Sequence, residues 1–319
     1  MEKDSKVYIA GHRGLVGSAI VRKLKADGYN NLVMRTSKEL DLRRQADIEA
    51  FFEKEIPEYV FFSAAKVGGI QANIINPATF FYDNIIMQSN VIHAAYKYKT
   101  KRLLFVSSSC SYPRLCHQPM KEECLLDGKP EPTNESYAIA KIAGMKMIEA
   151  YKKQYNVSFF SIIFPNIYGP GDNFNSKSSH VIPALIRKIY EAKINEQRIV
   201  EVLGTGNARR EFLFVDDVAD ACIYFMDKLK GGEIINVGAG KDISIKELAY
   251  LIKEIIDYDN DLCFNADKPD GMPQKMLDVF RMYEYAWVPK IPLGNGLRTT
   301  FDWFVTNYKN IVKKENDKN

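Results

Sequence analysis

The first seventeen residues constrain the chain most. The apolar run Val7-Tyr8-Ile9-Ala10 leads directly into Gly11-His12-Arg13-Gly14-Leu15-Val16-Gly17, and a helical pattern follows over about 15–27. Glycines three residues apart, between a buried strand and a helix, allow a tight turn, close backbone approach to a pyrophosphate and close helix packing. The helix N-terminus adds free N–H groups and partial positive charge, which together suit a dinucleotide phosphate. A strand–turn–helix of this kind opens a βαβ unit, and such units build parallel sheets.

The pattern repeats through residue 164. Leu32-Val33-Met34, Tyr59–Phe62, Arg102–Val106 and Phe159–Ile163 read as strands buried on both faces, with helices expected at about 44–54, 77–98 and 136–155. After Phe164 the chain turns loop-rich at Gly169-Pro170-Gly171-Asp172-Asn173, and a helix follows near 180–192. Phe212–Val215, a helix over Asp216–Lys228 and Ile234–Val237 read as a return to the first sheet, with further helices near 244–257 and 296–309. At ~100–200 residues per domain, 319 residues suit two lobes. The expected fold is α/β, a Rossmann-type doubly wound parallel sheet with a smaller α/β substrate-binding lobe. Residues 1–164 plus about 212–238 form the cofactor lobe, and about 165–211 plus 239–310 form the other. Residues 311–319 are expected to be a disordered tail.

Composition excludes several classes. The 44 basic and 40 acidic residues leave a net charge of +4, without the basic stripe a nucleic-acid binder concentrates on one face. No apolar run approaches the ~18 residues of a membrane span, and Met1–Lys6 leads into a strand without a signal-like stretch, so a cytoplasmic protein off the membrane is expected. The five cysteines include no C-x-x-C pair, which argues against a disulfide framework and against a thiolate metal site, and fits a reducing compartment.

Cofactor choice turns on the end of the second strand. An acidic residue there accepts the adenosine ribose hydroxyls and favours NAD, whereas this chain has Arg35-Thr36-Ser37-Lys38, with Arg13 in the glycine turn. Cations at that place favour the 2′-phosphate of NADP(H). Further along, Tyr137 and Lys141 stand at i and i+4 near a helix start, where an ammonium beside the phenol is expected to lower the tyrosine pKa. Ser107-Ser108-Ser109-Cys110 follows a strand at the sheet's carboxyl edge, where the Ser108 hydroxyl can hold a substrate carbonyl. Serine, tyrosine and lysine in this order, behind that glycine turn, resemble the short-chain dehydrogenase/reductase family.

A closer resemblance lies in Ala10–Gly14, Ala64-Ala65-Lys66-Val67-Gly68-Gly69-Ile70, Ser108–Pro113, Tyr137–Gly144, Ser179–Leu185 and Lys268-Pro269-Asp270-Gly271. These segments, spread in order from about residue 5 to 308, resemble the GDP-L-fucose synthases, an extended branch of that family. The resemblance implies an NADPH-dependent homodimer, with the helices near 77–98 and 136–155 as its dimer face. It also implies 3,5-epimerisation and then 4-keto reduction of GDP-4-keto-6-deoxymannose to GDP-L-fucose. Such chemistry needs groups on opposite faces of the sugar, and Cys110 and His180 are suitable acid–base types in matched segments. The implied catalytic set is Ser108, Cys110, Tyr137, Lys141 and His180. The implied cofactor contacts are Gly11, Arg13, Gly14, Leu15, Val16, Gly17, Arg35, Asp41, Leu42, Ala64, Ala65, Tyr137, Lys141, Pro165, Asn166, Ile167 and His180. For the GDP-sugar they are Asn166, Val181, Leu185, Lys188, Leu203, Arg210, Asp270 and Lys275, although Asp270 equally suits a turn.

Two departures stand out. Leu203 replaces a tryptophan common in the family, and Ser37 replaces a second 2′-phosphate arginine. Two rival readings follow from the same residues. A plain GDP-4-keto-6-deoxymannose 4-reductase has no use for Cys110 and His180, and a non-catalytic nucleotide-sensing protein has none for Ser108, Tyr137 and Lys141.

Overall fold

The computed structural model describes residues 1–176, 178–268 and 270–316. Six strands form a wholly parallel sheet: β1 (Val7–Ala10), β2 (Leu32–Val33), β3 (Tyr59–Phe62), β4 (Arg102–Ser108), β5 (Phe159–Phe164) and β9 (Ile234–Asn236). Their order is β2-β1-β3-β4-β5-β9. The chain leaves β1 to one side for β2 and returns on the other for β3, so the crevice above the carboxyl end of β1 is the topological switch point. Strands β1 and β5 are buried along their whole length, as their unbroken apolar runs require when helices cover both faces. The covering helices include α1 (Leu15–Ala26), α2 (Gln45–Glu55), α4 (Pro77–Lys97) and α5 (Glu135–Tyr155), while α3 (Ile70–Ile75) is a short turn between β3 and α4.

The second body is built on a mixed sheet. Strand β8 (Arg209–Phe214) pairs antiparallel with β10 (Asp242–Ser244) and parallel with β6 (Asn166–Tyr168) and β12 (Gln274–Lys275). A separate two-stranded ladder joins β7 (Ile199–Leu203) to β11 (Asp261–Asn265). Helices α6 (Val181–Ile194), α8 (Ile245–Ile256) and α10 (Leu293–Asn316) pack in this body, around a core that includes Ile186, Ile189, Phe212, Ile252 and Phe304. Helix α8 starts at a capping box in which Ser244 and Glu247 satisfy each other's backbone N–H groups. The larger core, around Ile9, Phe61, Phe105 and Phe160, takes in α7 (Val215–Lys228); the short α9 (Phe280–Glu284) also buries Met282 in it.

Two expectations are corrected. The Phe212–Val215 strand does not return to the parallel sheet, because β8 finds its partners in the mixed sheet and only β9 returns. The chain beyond 310 continues as helix α10 to Asn316, held by the Glu315 carboxylate, which accepts from Arg187 Nη1 at 2.5 Å and from the Ser176 hydroxyl. An ion pair that is almost enclosed retains an end that composition alone describes as a polar tail. Positions 317–319 lie outside the described residues.

Candidate active site

The glycine turn is shaped by close backbone approach. Gly11 has φ +87°, and a Cβ there would lie 2.7 Å from the Ala64 nitrogen; a Cβ on Gly17 would lie 2.2 Å from the Gly11 oxygen. Any side chain at either place pushes β1, α1 and the Ala64-Ala65 loop apart. Gly14 is the N-cap of α1 and brings no side chain to cap it, leaving the first-turn N–H groups around Leu15 and Val16 for an anion. This cradle fits a dinucleotide pyrophosphate. Arg13 stands exposed beside it, within electrostatic reach of His12 and Glu39.

Three other expected cofactor residues have protein partners of their own. Arg35 donates to Glu55 at 2.8 Å and to its neighbour's carbonyl on Met34. Asp41 is gripped by the Arg43 guanidinium at 2.8 and 2.9 Å, which holds its carboxyl down to about 2. Leu42 is buried, and its carbonyl accepts from Asn90.

The acid–base groups converge across the gap between the two sheets. At the end of β4 the Ser108 hydroxyl accepts from the Cys110 N–H at 3.3 Å, opening a single 3₁₀ turn over Ser109–Ser111. Lys275, delivered by β12, places its Nζ 3.2 Å from Cys110 Sγ. Burial alone pushes the Cys110 thiol up, but the Lys275 charge, the Ser108 hydroxyl and the Arg210 charge outweigh it and hold the thiol below its ordinary value. Tyr137 and His180 share this field, the first coupled to Cys110 and the second to Lys275. His180, the N-cap of α6, is open to water yet ringed closely enough by protein that burial, then Lys275, holds its imidazole below the usual value.

The tyrosine–lysine pair departs from expectation. Lys141 is buried, donates to the Val106 carbonyl at 2.9 Å and sits over the Phe105 ring; burial brings its pKa down to about 7. Its Nζ is 5.9 Å from the Tyr137 ring centre, and burial raises Tyr137 well above the ordinary phenol. The expected lowering of Tyr137 fails because the ammonium points at backbone rather than at the phenol oxygen, so desolvation dominates.

Arg210 and Asp270 form a second cluster beside the thiol. Arg210 donates to the Asp270 carbonyl at 3.2 Å, while the Asp270 carboxylate accepts from the Thr205 N–H at 2.8 Å and from its hydroxyl at 2.7 Å. Asp270 therefore ties two loops together; Pro269, beside it, lies outside the described residues. Leu203 ends β7 half-exposed, and Lys188 is exposed on α6 with its Nζ on the Glu201 carbonyl. Val181 and Leu185 lie on the first turns of α6. At the end of β5, Pro165 is buried and Asn166 donates to the Glu211 carbonyl, with Ile167 half-buried next to it.

Sequence reasoning missed the struts behind these groups. Tyr112, two residues after Cys110, donates its hydroxyl to Asn236 at 2.7 Å, and Asn236 in turn donates to the Met120 and Asp278 carbonyls. Glu211, fully buried beside Arg210, accepts from the Leu277 and Gly240 N–H groups, and burial pushes its carboxyl up to about 7. A carboxylate directly before the apolar run Phe212-Leu213-Phe214-Val215 was the available signal.

Residues 7–238 match the NAD dependent epimerase/dehydratase family. This chain belongs to that family. Among the relatives of this chain, GDP-L-fucose synthase 1 of Arabidopsis thaliana is 50% identical over 309 residues, covering 97% of this chain and 96% of that one. At that level the chain groups with the GDP-L-fucose synthases. Two solved structures superpose with a TM-score of 0.90. One is a GDP-6-OMe-4-keto-L-xylo-heptose reductase from C. jejuni, 37% identical over 96% of this chain and 99% of that one. The other is a GDP-L-fucose synthetase from Naegleria fowleri bound to NADP, 29% identical over 97% and 95%. Among the described residues, no helix is long and apolar enough to cross a membrane.

Proposed function

We propose that this protein converts GDP-4-keto-6-deoxymannose to GDP-L-fucose by 3,5-epimerisation followed by 4-keto reduction, with NADPH held in the glycine cradle. The observation that carries the reading is a thiol held below its ordinary pKa by Lys275, in the same cleft as His180 and Tyr137. When bound, NADPH supplies the two electrons and one hydrogen that reduce C4.

The 4-keto group acidifies the protons on C3 and C5. Cys110, as thiolate, removes a proton from one face, and His180 delivers one to the other. Ser108 and Tyr137 hold the C4 oxygen, which carries the charge in the epimerising enolate and again as the carbonyl is reduced. A Tyr137 hydroxyl raised in pKa remains protonated at neutral pH, as the donor to that oxygen must be. Lys141 orients the nicotinamide ribose. Arg210 and Lys188 take the diphosphate, Lys275 serves the thiol and the nearer phosphate, and Asn166, Val181, Leu185 and Leu203 line the nucleotide-sugar path with Asp270 tying its loops. Arg13 carries the 2′-phosphate; Gly14, Leu15, Val16, Ala64, Ala65, Pro165 and Ile167 serve the cofactor through backbone and packing. The larger parallel sheet is the cofactor lobe and the mixed sheet the sugar lobe, and the protein works as a cytoplasmic homodimer through α4 and α5.

Incubation with GDP-4-keto-6-deoxymannose and NADPH in D₂O tests this directly, with the product sugar identified by NMR. GDP-L-fucose carrying deuterium at C3 and C5 is expected, and His180→Gln abolishes the inversion. Reduced product without solvent deuterium supports instead a plain 4-reductase, an activity class present among the structural relatives.

A further inference from the structure

Lys275, the cation on the Cys110 thiol, stands on the last paired residue of its strand. Strand β12 meets β8 at Gln274 opposite Arg209 and Lys275 opposite Arg210, and the ladder ends there. Beyond it the chain's direction depends on acceptors found by the next peptides. The Met276 N–H donates to Gln118 Oε1 at 2.9 Å, and the Leu277 N–H donates to Glu211 Oε2 at 2.8 Å. Met120 closes the segment, donating to the Met276 carbonyl at 2.8 Å and accepting from the Asp278 N–H at 2.9 Å.

Gln118 belongs to the loop that leaves the Cys110 turn, and its half-buried amide is used at both ends. Nε2 donates to the Cys116 carbonyl at 3.3 Å while Oε1 takes the Met276 N–H. An amide, which carries donor and acceptor on one carbon, bridges two stretches of chain in this way; a thioether of the same length does not. The thiol and its cation are thereby joined twice, directly and through the loop beside one and the peptide beside the other. The groups facing the thiol are Lys275 from β12, Arg210 from β8, Tyr137 from α5 and the Ser108 hydroxyl from the end of β4, with His180 facing Lys275. Gln118 is uncharged, so its influence on the thiol runs through where Lys275 stands.

We propose that Gln118 is a positioning residue for the Cys110 base: by accepting the Met276 N–H it holds Lys275 in contact with the Cys110 sulfur. The role rests on the reading of Cys110 as the base that removes the sugar proton. Without that acceptor the peptide after Lys275 loses its nearest side-chain tether and turns to find another partner. Lys275 moves with it, and a hydrogen bond to sulfur weakens steeply with distance and angle. The segment stays attached through Glu211 and Met120, so the fold survives the loss while the aim of the cation does not.

The test uses the full chain and needs no substrate. Iodoacetamide alkylation of Cys110 is followed across pH by mass spectrometry in the wild type, Gln118→Met, Gln118→Ala, Lys275→Met and the double variant Gln118→Met/Lys275→Met. The sealed Cys222 thiol reports folding in the same spectra. In both Gln118 variants the Cys110 midpoint is expected to move upward and the rate near neutral pH to fall several-fold, by no more than in Lys275→Met, while the double variant overlays Lys275→Met. A Gln118→Met profile that overlays the wild type overturns the role. So does a Gln118→Met shift that persists on the Lys275→Met background, because the effect then bypasses the cation. Alkylation of Cys222 in both Gln118 variants marks Gln118 as a requirement of folding and overturns it as well. No sugar takes part, so a wild type that fails to epimerise its substrate is a separate result, ending the reading of Cys110 as the base without altering these profiles.

Discussion

Lys275 Nζ lies 3.2 Å from Cys110 Sγ, joining residues 165 positions apart. An ammonium at that distance stabilises the thiolate against the cost of burying it. Lys275→Met leaves desolvation uncompensated by that charge, so the pH midpoint for Cys110 alkylation moves upward and the rate near neutral pH falls several-fold. A Lys275→Met profile that overlays the wild type would show that the contact does not tune the thiol.

Tyr137 is the donor to the C4 oxygen in the proposed reduction, and loss of a positioned general acid costs ~100-fold or more. Tyr137→Phe is therefore expected to lower single-turnover reduction by about that factor while NADPH titration gives nearly the wild-type Kd. Reduction at near-normal rate would remove Tyr137 from this role.

Glu211 sets a pH dependence of stability. Its buried carboxyl is pushed up to about 7, against ~4.3 for an ordinary glutamate. Between those values the folded protein binds more protons than the unfolded one, so its contribution is complete at low pH and is lost as pH rises through 7. Urea unfolding at pH 5.5 and 8 should show wild-type stability falling more over this interval than that of Glu211→Gln, which cannot titrate. Parallel declines in the two proteins would contradict the assignment.

In the proposed reading cofactor preference rests on Arg13, with Arg35 paired to Glu55 and Ser37 uncharged. One charge-assisted contact is worth about 1.5–3 kcal/mol, roughly 10- to 150-fold in binding. Arg13→Ala should weaken NADPH by about that factor and leave NADH almost unchanged, measured by fluorescence titration. An unaltered ratio of the two affinities would place the 2′-phosphate elsewhere.

What the sequence determined by itself is local or periodic. The run Val7–Ala10 followed by glycines at 11, 14 and 17 specifies strand, turn and helix, because apolar periodicity and the tolerance of Gly11 for φ +87° act within a few residues. The parallel sheet, the placement of Ser108 and Cys110 at the end of β4, and Tyr137 with Lys141 on one helix face follow from the same short-range rules. What only the tertiary structure decided depends on contacts between distant segments. Whether β8 returns to the first sheet or joins the second, that Lys275 reaches the Cys110 thiol, and that Arg35 pairs with Glu55 depend on which partners arrive. The same holds for charge. The spacing of Tyr137 and Lys141 cannot reveal that Lys141 donates to Val106, nor that burial raises the phenol, because desolvation and field are properties of the packed surroundings rather than of the residue.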